Sequence, residues 1–178
     1  MNWHLPAADH IAMPWANGQG QTIQMLRRDA PDGSLLFRLS RASVIQDGPF
    51  SLFPGIERNL TVISGPGFDL VGARTIRADP LVPVAFPGDV KVASAGVRGR
   101  CEDFNVMTAR SLPKPDVRVV TEPADLSPHG GLLCVFAIAT ARCGDVLLGV
   151  NDLFVTDNPV QWSGGAMIVV CLWGIAAV

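Results

Sequence analysis

Apolar and polar positions along the chain follow the period of strands rather than helices. Gln21–Arg28, Leu35–Val44, Arg58–Ser64 and Phe104–Ala109 alternate or run apolar over short stretches, the pattern expected when successive side chains point to opposite faces. The same reading predicts strands at Phe68–Val71, Val82–Phe86, Lys91–Ala95, Val117–Thr121, Leu132–Ala139, Asp145–Leu148, Asp152–Thr156 and Ala166–Trp173. With 18 Gly and 14 Pro, a chain-turning residue falls about every six positions, which leaves little room for helices of average length. Asp32-Gly33, Asp47-Gly48, Gly65-Pro66-Gly67 and Gly130-Gly131 supply tight connections. An all-β fold follows.

The alternation also locates polar side chains. In Phe37-Arg38-Leu39-Ser40 one face is apolar and the other carries Arg38 and Ser40. Asn59-Leu60-Thr61-Val62 repeats the pattern, so a polar stripe is expected to cross neighbouring strands. In the segment ending at Arg110, Asp103, Asn105, Met107 and Ala109 share one face, and Phe104, Val106, Thr108 and Arg110 the other. Either Asn105 or Thr108 points into a pocket, and alternation alone leaves the choice open.

Composition narrows the class. The 178 residues are 48% hydrophobic and 17% charged, those of a chain that buries a core. A formal charge of −2 and the absence of a basic run argue against nucleic acid as a partner. Arg27-Arg28 stands beside Asp29 and reads as a solvated strand end. The N-terminal stretch lacks the basic and apolar regions of a signal peptide, so a cytoplasmic location is expected. The apolar run Ala166–Val178 is too short for a membrane span and reads as a buried strand.

Cys101, Cys134, Cys143 and Cys171 form no C-x-x-C pair and read as reduced core residues. His4, His10 and His129 are not spaced as metal ligands, so neither a metal nor another cofactor is expected. No phosphate-binding glycine loop and no G-x-S-x-G nucleophile elbow occurs. Asp47 and Glu57 remain the acid–base candidates for an enzyme, although Asp47 before Gly48-Pro49 is first a turn former.

Three segments are distinctive. Met13-Pro14-Trp15-Ala16-Asn17-Gly18-Gln19-Gly20-Gln21-Thr22 specifies a tight loop entering a strand. Arg38-Leu39-Ser40-Arg41-Ala42 is followed by Asp47-Gly48-Pro49-Phe50-Ser51-Leu52-Phe53-Pro54-Gly55-Ile56-Glu57-Arg58, an extended loop with Phe50 and Phe53 as core plugs. The third is Asp103-Phe104-Asn105-Val106-Met107-Thr108. Arg58, opening a strand after a glycine turn, can present a planar fork to a carboxylate; the bland alternative is a surface pair with a neighbouring acid.

Together these segments closely resemble the HutD/Ves family, strongly over residues 13–110. The chain departs from the family pattern at Ala109, so no role is carried onto Arg110. The resemblance implies a cupin-like (RmlC-like) β-barrel, with two barrel halves in one chain (a bicupin), and an association with bacterial histidine utilisation. The halves are expected at about residues 1–100 and 101–178. The leading expectation is a metal-free protein that binds a small acidic metabolite, such as urocanate or formylglutamate, in the N-terminal barrel. Arg58, Asn17, Asn105 and Thr108 would contact the ligand, with Trp15 and Phe50 lining the pocket. The alternatives are a cupin enzyme, an isomerase or hydrolase using Asp47 or Glu57, and an interaction module for a pathway enzyme or regulator. Exposed barrel edges would also allow a homodimer.

Overall fold

The computed structural model describes residues 2–15 and 20–175. Among these residues, nineteen strands and one short 3-10 turn, Ala7–Asp9, make up the regular structure. All twelve strands expected from alternation are present, with ends shifted by a few residues. The seven additional ones are two to five residues long, and some, such as Ile11–Pro14, have no buried face for alternation to register.

The strands group into two units, Ile11–Arg110 and the combination of Met1–His10 with Ser111–Val178. This division differs from one near residue 100. Cys101–Ala109 lies inside the first unit's larger sheet, bonded antiparallel to Leu35–Val44 on one side and Ile56–Ser64 on the other. Removing it would split that sheet between Leu35–Val44 and Ile56–Ser64. Residues 2–5 instead pair with Leu153–Thr156 in the second unit.

The first unit consists of a six-stranded sheet and a four-stranded sheet. The larger runs Ile11–Pro14, Gln21–Asp29, Leu35–Val44, Cys101–Ala109, Ile56–Ser64, Val84–Pro87 in spatial order. The smaller runs Gly48–Pro49, Ala93–Ala95, Phe68–Val71, Thr75–Ala78. Val44, Leu60, Val62, Phe86 and Cys101 from the first pack on Phe68, Leu70 and Ala78 from the second, forming one buried core. A Gly65-Pro66-Gly67 turn joins Ile56–Ser64 to Phe68–Val71, and both glycines have positive φ. At Gly65 the backbone passes so close that an added Cβ would lie 2.4 Å from the Arg100 carbonyl oxygen.

The second unit has a five-stranded and a four-stranded sheet. Leu132–Ala137 and Met167–Leu172 are buried along their whole length, as expected for central strands. Met167–Leu172 of the apolar C-terminal run thus form a buried strand. No helix is long and apolar enough to cross a membrane among the described residues. Asp152 fastens the N-terminal strand: its carboxylate accepts the N–H of Ala7 at 2.8 Å and of Gly149 at 2.9 Å, and lies 2.7 Å from His4 Nε2. All four cysteines are buried and unbridged. Hydrogen bonding leaves each of the four sheets open.

Candidate functional site

Register decides which side chains meet. Asn105 is opposite Ser40 on one neighbour and Leu60 on the other, and Met107 is opposite Arg38 and Arg58. Because side chains alternate, Arg38, Ser40, Asp103, Asn105, Met107 and Arg58 all stand on one face of three adjacent strands. That face also carries Leu60 and Val62, so it is the interior face of the first unit. A cavity of about 600 Å³ opens against it, within the usual size of small-molecule sites.

The stripe is heavily charged for an interior. Asp103 is fully buried, Arg58 is 6% exposed and Asn105 is 6% exposed. A chain of bonds connects them: Arg58 Nη2 donates to Asn105 Oδ1 at 3.2 Å, and Asn105 Nδ2 donates to Asp103 Oδ1 in a short contact. Three polar atoms find no partner, namely Arg38 Nε, Arg58 Nε and Asp103 Oδ2. Neither guanidinium makes an ion pair among the described residues; Arg38 donates only to the Met107 sulfur, at 3.0 Å. Burial lowers Arg58 to about 10, offset in part by attraction to Asp103. Burial also pushes the Asp103 carboxyl up to about 7, against the Asn105 hydrogen bond and the pull of Arg58.

Aromatic rings take the place of solvent around the cations. Arg58 Cζ lies 5.1 Å from the Phe50 ring centre, 5.5 Å from Phe53 and 5.0 Å from Phe86, and Arg38 Cζ lies 5.3 Å from Phe53. Such faces attract a guanidinium electrostatically while leaving its N–H edge free for an anion. Phe50 and Phe53 come from the extended loop before Ile56, and residues 45–51 form a wall of the cavity. Ser94 holds that loop by accepting the Gly48 N–H at 3.1 Å. On the other side Trp15 lines the cavity, its indole N–H donating to Thr22 Oγ1 at 3.0 Å. Gly20 has to lack a side chain, since a Cβ there would sit 2.8 Å from the Trp15 ring.

Of the residues expected at the site, Trp15, Phe50, Arg58 and Asn105 come together in this one cavity. Thr108 does not: it is buried on the opposite face, across from Phe37 and Glu57. Asn59 and Thr61 share that opposite face, because Leu60 is the residue in register with Asn105, so the polar stripe does not extend to them. Asn17 lies outside the described residues. Asp47 and Glu57 form no acid–base pair. Both Asp47 oxygens accept backbone N–H groups, from Gly96 at 3.1 Å and Val97 at 2.8 Å, and Glu57 points away from Arg58 to bind Arg110 at 2.8 Å. Arg58 itself is no surface pair. Arg38 and Asp103 were missed as site residues; the alternation marked their faces, and only the register shows that those faces are the same one.

Among the described residues the cavity lining contributes no histidine or cysteine. Among the described residues no three His, Cys, Asp or Glu side chains cluster as metal ligands.

The HutD family model matches residues 7–164. The chain belongs to the HutD family. Solved structures agree with this placement. HutD from Pseudomonas fluorescens SBW25, in a formate condition, is 27% identical over 98% of this chain and 100% of its own, with a TM-score of 0.87. PA5104, a conserved protein of unknown function from Pseudomonas aeruginosa PAO1, is 25% identical over 97% of this chain and 98% of its own, at 0.83. A cupin 2 conserved barrel domain protein from Leptotrichia buccalis superposes at 0.57 with 10% identity, covering 91% of this HutD-family chain and 92% of its own. The fold is therefore cupin-like.

Proposed function

We propose that this protein binds a small carboxylate metabolite in the first unit's cavity, without a metal, and thereby modulates histidine utilisation in the cytoplasm. The observation that carries the reading is the pair of aromatic-flanked guanidiniums, buried Arg58 and half-buried Arg38, which face a cavity and make no direct ion pair among the described residues. A buried charge without a partner is costly, and a carboxylate that accepts from both guanidiniums removes much of that cost. The family's association with histidine utilisation makes urocanate and formylglutamate the first ligands to try.

Thermal melting with urocanate, formylglutamate, histidine, glutamate and formate tests this, formate serving as the minimal carboxylate. A ligand at a hundred times its dissociation constant adds about 2.7 kcal/mol, which for a chain of this size raises Tm by roughly 5–10 °C. The expected result is such a rise with at least one acid larger than formate, and its loss in Arg58→Ala. No rise with any of them would overturn the proposal.

A further inference from the structure

Asp103 is unexplained by a site that only binds carboxylates. It is the most buried polar side chain of the cavity, at 0% exposure, and an acid facing an anion site weakens it. Its Oδ1 is occupied by the Asn105 amide, and its Oδ2 has no partner. We propose that the ligand carries, besides its carboxylate, an N–H group that Asp103 Oδ2 accepts, so that the cavity selects carboxylates bearing an N–H donor. This rests on the carboxylate reading above and adds the second half of the recognition.

The bonding count supports it. An acceptor-only ligand leaves Oδ2 orphaned, whereas an N–H completes the last open valence of the Arg58–Asn105–Asp103 chain. The raised pKa of Asp103 fits a carboxylate that still lacks one donor.

The test compares two acids of equal length by calorimetry at pH 8: trans-urocanate, and 3-(3-furyl)acrylate, which replaces the ring N–H with an ether oxygen. The furan acid is expected to bind at least about tenfold more weakly, because it leaves a buried acceptor unpaired. Glutarate, a dianion without an N–H, is expected to bind no better than the furan acid. In Asp103→Asn an amide donor stands where Oδ2 was, and the preference for urocanate should shrink to about threefold or less. Equal binding of urocanate and the furan acid to the wild type would overturn this inference while leaving the carboxylate site standing. Failure of every acid to bind would overturn both. A full preference retained in Asp103→Asn would show that the N–H is read elsewhere. The wild-type comparison needs no variant, so it decides even if Asp103→Asn folds poorly.

Discussion

Replacing Asp103 by Asn should make the ligand-free protein more stable at alkaline pH and leave it unchanged or slightly weaker in acid. Burial raises this carboxyl from 3.8 to about 7. Each pH unit corresponds to about 1.4 kcal/mol, so ionised Asp103 costs the folded state on the order of 4 kcal/mol relative to its neutral form. The direction is set by proton binding. Between 3.8 and about 7 the folded chain holds a proton that the unfolded chain has released, so wild-type stability falls as pH rises through that window and levels off above it. Asn removes the titration. It keeps an oxygen for the Asn105 amide but places an unpaired N–H₂ where Oδ2 stood, at a cost of about 1–3 kcal/mol. The net gain expected at pH 8 is about 1–3 kcal/mol, or roughly 2–12 °C in Tm. Urea denaturation and scanning calorimetry of both proteins at pH 4.5 and pH 8 measure the difference, in which every other carboxyl cancels. A variant that melts below the wild type at pH 8, or a difference that does not vary with pH, would refute the reasoning, because it would mean that ionised Asp103 stabilises the fold.

Three further outcomes are expected. Asp152→Asn weakens the clamp on His4, Ala7 and Gly149 and should cost about 2–4 kcal/mol, read as faster amide exchange in Asn2–Leu5. Burial opposes ionisation of Asp152, but these bonds win and hold it below 3.8, so its contribution is present above that pH and is lost as pH falls through the folded value. Gly65→Ala combines a φ of 92° with a Cβ 2.4 Å from the Arg100 oxygen, so it should lower the urea midpoint by the equivalent of about 2 kcal/mol or more. Burial raises the Cys134 thiol far above its ordinary value and Cys143 to about 11, and all four cysteines are inaccessible. A disulfide reagent should therefore label none of them in the native protein at pH 8 within minutes and all four after denaturation.

Most of the fold was legible in the sequence because long strands with one buried face leave a period of two. Leu35–Val44 shows it in Phe37 and Leu39, whereas Cys101–Ala109 is buried on both faces and is marked instead by its alternation of polar and apolar side chains. Ile11–Pro14 is exposed throughout and carries no such signal. The site was half legible. Phe50 and Arg58 stand out through turn chemistry and residue type, whereas the choice between Asn105 and Thr108 depends on which partner residue lies opposite each, a non-local fact. The register is further shifted by the extra residue near Met25, where Gln24 and Leu26 face adjacent residues, Ser40 and Leu39. No local pattern predicts that two-against-one step. Asp47, read first as a turn former and only second as an acid, uses its oxygens to fasten the loop to Gly96 and Val97.

The burial of Arg58 and Asp103 on adjacent strands, beside half-buried Arg38, runs against the rule that builds the rest of this core, where Leu60, Val62, Phe68 and Leu70 are essentially inaccessible. Such local conflicts are expected where binding rather than stability has shaped the residue choice. The consequence is a linkage between occupancy and stability: groups that destabilise the empty cavity are the ones a ligand would satisfy. Asp103→Asn separates the two effects. If the residue serves binding, the same substitution that raises the melting temperature of the empty protein removes the preference for an N–H-bearing acid, and the two changes appear together. If Asp103 only positions Asn105 and Arg58, the substitution lowers affinity for every carboxylate alike and leaves the ratio between urocanate and its furan analogue where it was.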